Sequence, residues 1–168
     1  MQFGRLTHVG QVREVDVYVH WTVFLILALL LFARPSPTTF VGAFAYLSLL
    51  VIHEAGHVTV ARMKGYQAFS IALYPVFGLA SLERPDSRFD RAVIAWGGVA
   101  AQILVAIPVM AYVFMVGYTR FPAVNAVLVL WGAYSLCAVV FNLLPIPPLD
   151  GSVAWKIIPA YLERRRGL

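Results

Sequence analysis

Two histidines, His53 and His57, stand four residues apart in the run His53-Glu54-Ala55-Gly56-His57. On a helix they occupy one face, a turn apart, and both imidazoles can grip a single metal ion. Glu54, beside the first of them, can then reach a metal-bound water as a base. The bare pattern also arises by chance in unrelated proteins, so its setting decides its weight. Here it lies inside Phe40 to Val60, FVGAFAYLSLLVIHEAGHVTV, about the length a helix needs to cross a hydrocarbon core. Ionisable side chains are costly at that depth, and a cluster of them there marks a site. A catalytic metal also needs a third protein ligand and an open position for water. The acids on offer are Glu14, Asp16, Glu54, Glu83, Asp86, Asp90, Asp150 and Glu163, most of them in polar stretches where solvation explains them.

The elements that must position such a site are mostly apolar. Of the 168 residues, 61% are hydrophobic and only 12% charged, with a mean hydropathy of +0.79. This composition predicts a polytopic α-helical membrane protein and leaves no room for an attached soluble domain. About four transmembrane helices are expected, near Trp21 to Phe32, Thr38 to Ala61, Ala92 to Val116 and Ala123 to Leu144. Pro35 and Pro37 mark the first turn; Gly117, Tyr118 and Pro122 mark the last. Met1 to His20 carries charges and no apolar core with a cleavage site, so no cleavable signal peptide is expected. Cys137, the single cysteine, permits no intrachain disulfide and reads as a small core residue.

Val15, Val17 and Val19 alternate with polar partners, which predicts a strand leading into the first helix. Phe69 to Leu82, FSIALYPVFGLASL, is rich in strand formers and broken by Pro75 and Gly78. Both its ends fall on one side of the membrane, so it is expected as a re-entrant hairpin. Pairing with the N-terminal strand would complete a small membrane-associated β-sheet and satisfy its backbone.

The basic residues set an orientation. The N-terminus, the 62–91 connection and the C-terminus hold Arg5, Arg13, Arg62, Lys64, Arg84, Arg88, Arg91, Lys156, Arg164, Arg165 and Arg166. The opposite loops hold only Arg34 and Arg120. Eleven against two puts both termini in the cytoplasm; the membrane is expected to be the inner membrane of a prokaryotic cell. A net charge of +5, concentrated at span ends, then reports contact with anionic headgroups of the bilayer rather than nucleic acid. In this topology Asp150 follows the fourth span on the same side as His57, which lies ~7.5 Å along a helix from Arg62. Pro145, Pro147 and Pro148 interrupt the helix before Asp150, and broken backbone at membrane depth is tolerated where it lines a cavity. Asp150 is therefore the expected third ligand, against the plainer reading of Asp150-Gly151 as a turn. A zinc ion with one carboxylate and one hydroxide would be formally neutral, which suits a low dielectric. The two imidazoles must be neutral to bind, so occupancy should fall in acid.

With these residues in hand, the chain resembles the site-2 protease family of intramembrane zinc metalloproteases. His53-Glu54-Ala55-Gly56-His57 matches one motif. Asn142-Leu143-Leu144-Pro145-Ile146-Pro147-Pro148-Leu149-Asp150-Gly151 reproduces the more specific N-x-x-P-x-P-x-L-D-G pattern in full, and Val19-His20-Trp21-Thr22 is similar to the entry into the first helix. The resemblance covers nearly the whole chain, 1–168, as one minimal protease domain. It implies zinc held by His53, His57 and Asp150, with Glu54 as general base and then acid. It also implies that Asn142 bonds the substrate backbone or its developing oxyanion, although a polar tie between helices explains that residue equally well. Transmembrane protein or peptide substrates follow from the family, with no indication of oligomeric state. A helical substrate must unwind to be cut, and the 69–82 hairpin offers an edge to which it can add as a strand. One element departs from the pattern. Relatives often carry Gly-Pro-x-x-Asn in the third span, where this chain has Gly97-Gly98-Val99-Ala100-Ala101-Gln102. Without the proline and asparagine, the glycine pair reads as close helix packing.

Other readings compete. A non-catalytic membrane protein of the same fold would bind metal or client helices without cutting them, but it has no need of a base at Glu54. A protease with a downstream glutamate as last ligand would have to use Glu83, which sits in polar ERPDSRFD. His20 is expected as an interfacial residue or as a group near the metal, and Trp21 and Trp155 as interfacial anchors.

Overall fold

The computed structural model describes residues 6–165, so Arg5 and Arg166 of the charge count lie outside the described residues. Strands β1 (Leu6–Val12) and β2 (Val15–His20) form a hairpin that runs into helix α1 (Trp21–Ala33). Helix α2 (Pro37–Met63) follows, then strands β3 (Ala68–Leu73) and β4 (Gly78–Leu82) and helix α3 (Arg88–Val116). Helix α4 (Pro122–Asn142) contains a π-helical turn at Leu130–Tyr134. Two short helices close the chain, α5 (Gly151–Ala154) and α6 (Ile157–Arg165).

Local chemistry explains the helix ends. The Ser36 hydroxyl accepts the Thr39 amide at 3.1 Å and Pro37 follows at the first helical position, so α2 starts with a preset φ and a satisfied donor. The Ser87 hydroxyl accepts the Asp90 amide at 2.9 Å to start α3. That helix ends at Gly117, whose φ of 85° only glycine adopts readily. Among the described residues α2, α3 and α4, of 27, 29 and 21 residues, are long and apolar enough to cross a membrane. Helix α1 has 13 residues and spans ~20 Å, short of a ~30 Å hydrocarbon core. The expectation of about four crossings thus becomes three helices of crossing length and one shorter apolar helix, confined between its His20 cap and the Ser36-Pro37 start of α2.

The sheet has four strands in the order β1-β2-β3-β4. As expected, the N-terminal strand and the 69–82 hairpin share it. Strand β2 runs parallel to β3, with Val17 opposite Ile71 and Val19 opposite Leu73, and β3 and β4 are antiparallel. Strand β1 is an addition. Its residues are mostly exposed and Gly10 bulges it, so no apolar alternation announces it. Its turn, Arg13-Glu14, takes positive φ at both residues without the usual Asn or Gly.

Val15, Val19, Val23, Val58, Ala68, Ile71 and Leu73 form the buried cluster that seats the sheet on α1 and α2. Helices α2 and α3 meet backbone to backbone at Gly56 and Gly97: a Cβ on Gly97 would stand 2.6 Å from the Gly56 oxygen. The glycine pair is close packing, as its composition suggested, and it brings the chemistry of one helix onto the other. Cys137 is exposed on α4 rather than buried, because the face of that helix turned to the protein carries Gly132, Ser135 and Val139 instead.

Candidate metal centre

Ala45, Leu49, His53, Gly56 and His57 lie on the face of α2 that is buried against its neighbours. The 3.6-residue period that buries Leu49 buries both histidines with it. Their partners come from one stripe of α3, at Ile94, Gly98 and Gln102, spaced by four. His57 Nδ1 donates to the Ile94 carbonyl at 2.8 Å, and His53 Nδ1 donates to the Gln102 side-chain carbonyl at 3.1 Å. Gly98 sits beneath both rings, where a Cβ would come within 2.7 Å of His53 Nε2. With both Nδ1 protons engaged, both Nε2 lone pairs point the same way.

Asp150 closes the group. It arrives from the proline-broken segment after α4, and its Oδ2 lies 2.9 Å from His53 Nε2 and 3.3 Å from His57 Nε2. The two Nε2 atoms are 3.1 Å apart. A tetrahedral zinc with bonds of ~2.0–2.2 Å separates neighbouring ligand atoms by ~3.3 Å, so the trio has the dimensions of such a face. Three such atoms aimed at one point could share a cation, and two imidazoles with one carboxylate are a borderline donor set that suits zinc. Among the described residues this is the only such cluster of three.

Two tryptophans hold the segment that delivers Asp150. Trp155 Nε1 donates to the Leu143 carbonyl at 2.6 Å, and Trp96 Nε1 on α3 donates to the Ala154 carbonyl at 3.1 Å. Gly151 passes so close to the Leu143 and Leu144 carbonyls that a Cβ has no room. Trp155 therefore does more than the interfacial anchoring its position suggested, although its ring is still half exposed.

Glu54 is buried at 4% exposure one residue from His53, on the side of α2 facing β4. Its carboxylate meets the Ala80 amide, and any side chain at Gly78 would run into it. The sheet thus covers the Glu54 carboxylate. Asn142 ends α4, half-buried, with no side-chain hydrogen bond among the described residues, and it is not drawn into the cluster. His20 stays away as well. It caps α1 through Thr22, Nδ1 lying 2.7 Å from the Thr22 hydroxyl, and stacks on Tyr74 with centroids 5.2 Å apart. Glu83 accepts from the Gln67 amide at 2.9 Å at the base of the hairpin, outside the cluster. Gln102 is the residue whose importance the sequence concealed: read as a departure from a motif, it is buried against His53.

The profile of peptidase family M50 matches residues 41–127, and the chain belongs to that family, the site-2 proteases. It is 30% identical over 178 residues to the putative zinc metalloprotease Rip3 of Mycobacterium tuberculosis, covering 94% of this chain and 44% of the other. A putative zinc metalloprotease of Synechocystis is 33% identical over 149 residues, covering 82% and 33%. A zinc metalloprotease of Methanocaldococcus jannaschii is 25% identical over 161 residues, covering 94% and 45%. The chain thus spans less than half the length of these relatives. The fold is similar to that of the site-2 protease from Methanocaldococcus jannaschii, with a TM-score of 0.69 at 21% identity over 95% of this chain and 73% of the other. With three apolar helices of crossing length, the chain is an integral membrane protein of this family.

The geometry separates the two candidate acids. Metal analysis of purified protein should find one zinc per chain in wild type and in Glu83→Ala. Asp150→Ala should fall well below one, as should His53→Ala and His57→Ala. Full zinc retention in Asp150→Ala would remove that carboxylate from the site.

Proposed function

We propose that this chain is a zinc endopeptidase that cuts transmembrane segments of other membrane proteins within the bilayer, as one unit comprising 1–168. The observation that carries the proposal is the convergence of His53 Nε2, His57 Nε2 and Asp150 Oδ2 beside a buried glutamate. When bound there, zinc supplies a Lewis acid for the scissile carbonyl and a water acidified to near neutrality. His53, His57 and Asp150 hold the ion. Glu54 takes the proton of the attacking water and returns it to the departing amine. Burial of Glu54 under β4 keeps bulk water from that transfer. Asn142, with its amide uncommitted, is free to bond the substrate backbone or the developing oxyanion.

The substrate must present an unwound peptide. Strand β4 is an edge of the sheet and lies against Glu54, so a peptide added to it as a strand would pass the base. The Ala80 amide points outward to Glu54, so by the strand period of two the Leu82 amide points outward as well and would carry a main-chain bond to the peptide. The lysines and arginines at the ends of the helices support both termini in the cytoplasm, and the membrane is taken as a prokaryotic inner membrane.

Three outcomes follow. Glu54→Gln should keep its zinc and lose proteolysis by ~10²–10⁴-fold, measured as client proteins accumulating uncut in membranes of cells carrying the variant. Equal processing of clients by wild type and variant would sink the enzymatic reading. Leu82→Pro removes one outward amide worth ~0.5–1.5 kcal/mol and should slow cleavage by up to about tenfold at full zinc content. Unchanged cleavage in that variant would discard strand addition. Reporter fusions at each terminus should be active only in the cytoplasm, and a periplasmic signal from either would reverse the orientation.

A further inference from the structure

We propose that Gln102 is a positioning residue for the metal site. Its side-chain carbonyl holds His53 in the Nδ1–H tautomer and so presents the Nε2 lone pair to the ion. The inference rests on His53 being a metal ligand and deepens that reading. An imidazole has two nitrogens, and only the one without a proton can bind metal. His57 has its choice made by main chain, since its Nδ1 proton goes to the Ile94 carbonyl at 2.8 Å, an acceptor that no side-chain replacement removes. His53 has no backbone carbonyl in that role. Its Nδ1 faces Oε1 of Gln102 at 3.1 Å, and Gln102 is 4% exposed, so water does not stand in.

A glutamine amide can present either end. With the carbonyl toward His53, the ring proton is drawn to Nδ1 and Nε2 faces Asp150 Oδ2 and His57 Nε2 as an acceptor. With the amide group turned toward the ring instead, Nδ1 would become the acceptor and the proton would move to Nε2, into the space of the ion. The orientation in which three electron-rich atoms converge on one point is therefore the one that Gln102 must hold. The stripe Ile94, Gly98, Gln102 on α3 then has one task per turn: orient His57, make room for both rings, orient His53. A neutral acceptor at 102 also adds no further anion beside Asp150 and Glu54, which limits the charge to be buried.

The full-length protein in detergent tests this with two variants. Gln102→Met keeps length and bulk and removes the acceptor, while Gln102→Glu keeps an acceptor and removes the donor. Zinc affinity, read by competition with a chromophoric chelator, should weaken by 10- to 100-fold in Gln102→Met and return most of the way in Gln102→Glu. In metal-free protein labelled with ¹⁵N-histidine, His53 should carry its proton on Nδ1 in wild type and Gln102→Glu, and distribute it over both nitrogens in Gln102→Met. A Gln102→Met protein with wild-type zinc affinity and wild-type His53 tautomer overturns the proposal. Should Gln102→Met fail to fold, Gln102→Glu decides: retained affinity supports the acceptor role, and a 10-fold loss in the folded variant defeats it. Wild type that takes up no zinc would sink the metal-site reading itself, and this inference with it.

Discussion

Polar atoms that meet among apolar helices each need a partner, and the architecture follows from meeting that need for two imidazoles and two carboxylates. The decisive contact is backbone on backbone, Gly56 of α2 against Gly97 of α3. Only because neither helix carries a side chain there can α3 come close enough for Ile94 and Gln102 to reach the Nδ1 protons of His57 and His53. Widening that gap by one methyl group would strand both rings, since a hydrogen bond of about 3 Å has little slack. In lipid, where apolar surfaces give helices little reason to associate, close packing of small residues and interhelical hydrogen bonds supply the attraction. The same few residues thus hold α2 to α3 and aim the histidines.

Placement of Asp150 is a different problem, because it lies in a segment without regular hydrogen bonding. The prolines end α4, and the chain must then fold back without leaving carbonyls unpaired. The indole N–H groups of Trp155 and Trp96 take the Leu143 and Ala154 carbonyls, and Gly151 lets the turn close on itself. Rigid support matters here more than affinity. A carboxylate displaced by 1 Å from two fixed imidazoles no longer completes a tetrahedral face.

Much of this was legible in the sequence, and the reasons differ by element. Helices α2, α3 and α4 are long apolar runs ended by Ser-Pro, Ser-x-x-Asp and Gly, signals that depend on nearby residues alone. The trio His53, His57 and Asp150 was found because topology and ligand chemistry constrain each other: two spans ending on one side make their ends neighbours. Strand β2 showed its alternation, and the 69–82 hairpin its turn residues. What stayed hidden depends on distant partners. Strand β1 is exposed and bulged, so its only signature is its pairing with β2. Gln102 was concealed most fully, since a lone polar residue in an apolar span has no meaning until α3 is laid against α2. A usable signal did exist. Gln102 lies four residues beyond Gly98, and a polar side chain on the stripe of a close-packing glycine must face the neighbouring helix.

The sheet adds a constraint of another kind. Strand β2 leads directly into α1 through the His20 cap, and β3 leaves α2 shortly after the histidines, so the parallel pair β2–β3 is tied at both ends to helices of the core. Val58 of α2 packs into the same cluster as Val19 and Ile71, one residue beyond His57. The sheet and the helix that carries His53 and His57 therefore share one packed core. Because β4 meets Glu54 from the far side of that sheet, the edge open to a peptide and the carboxylate that would act on it belong to one mechanically continuous unit. The edge of the sheet and the Glu54 carboxylate are thus placed by the same packing.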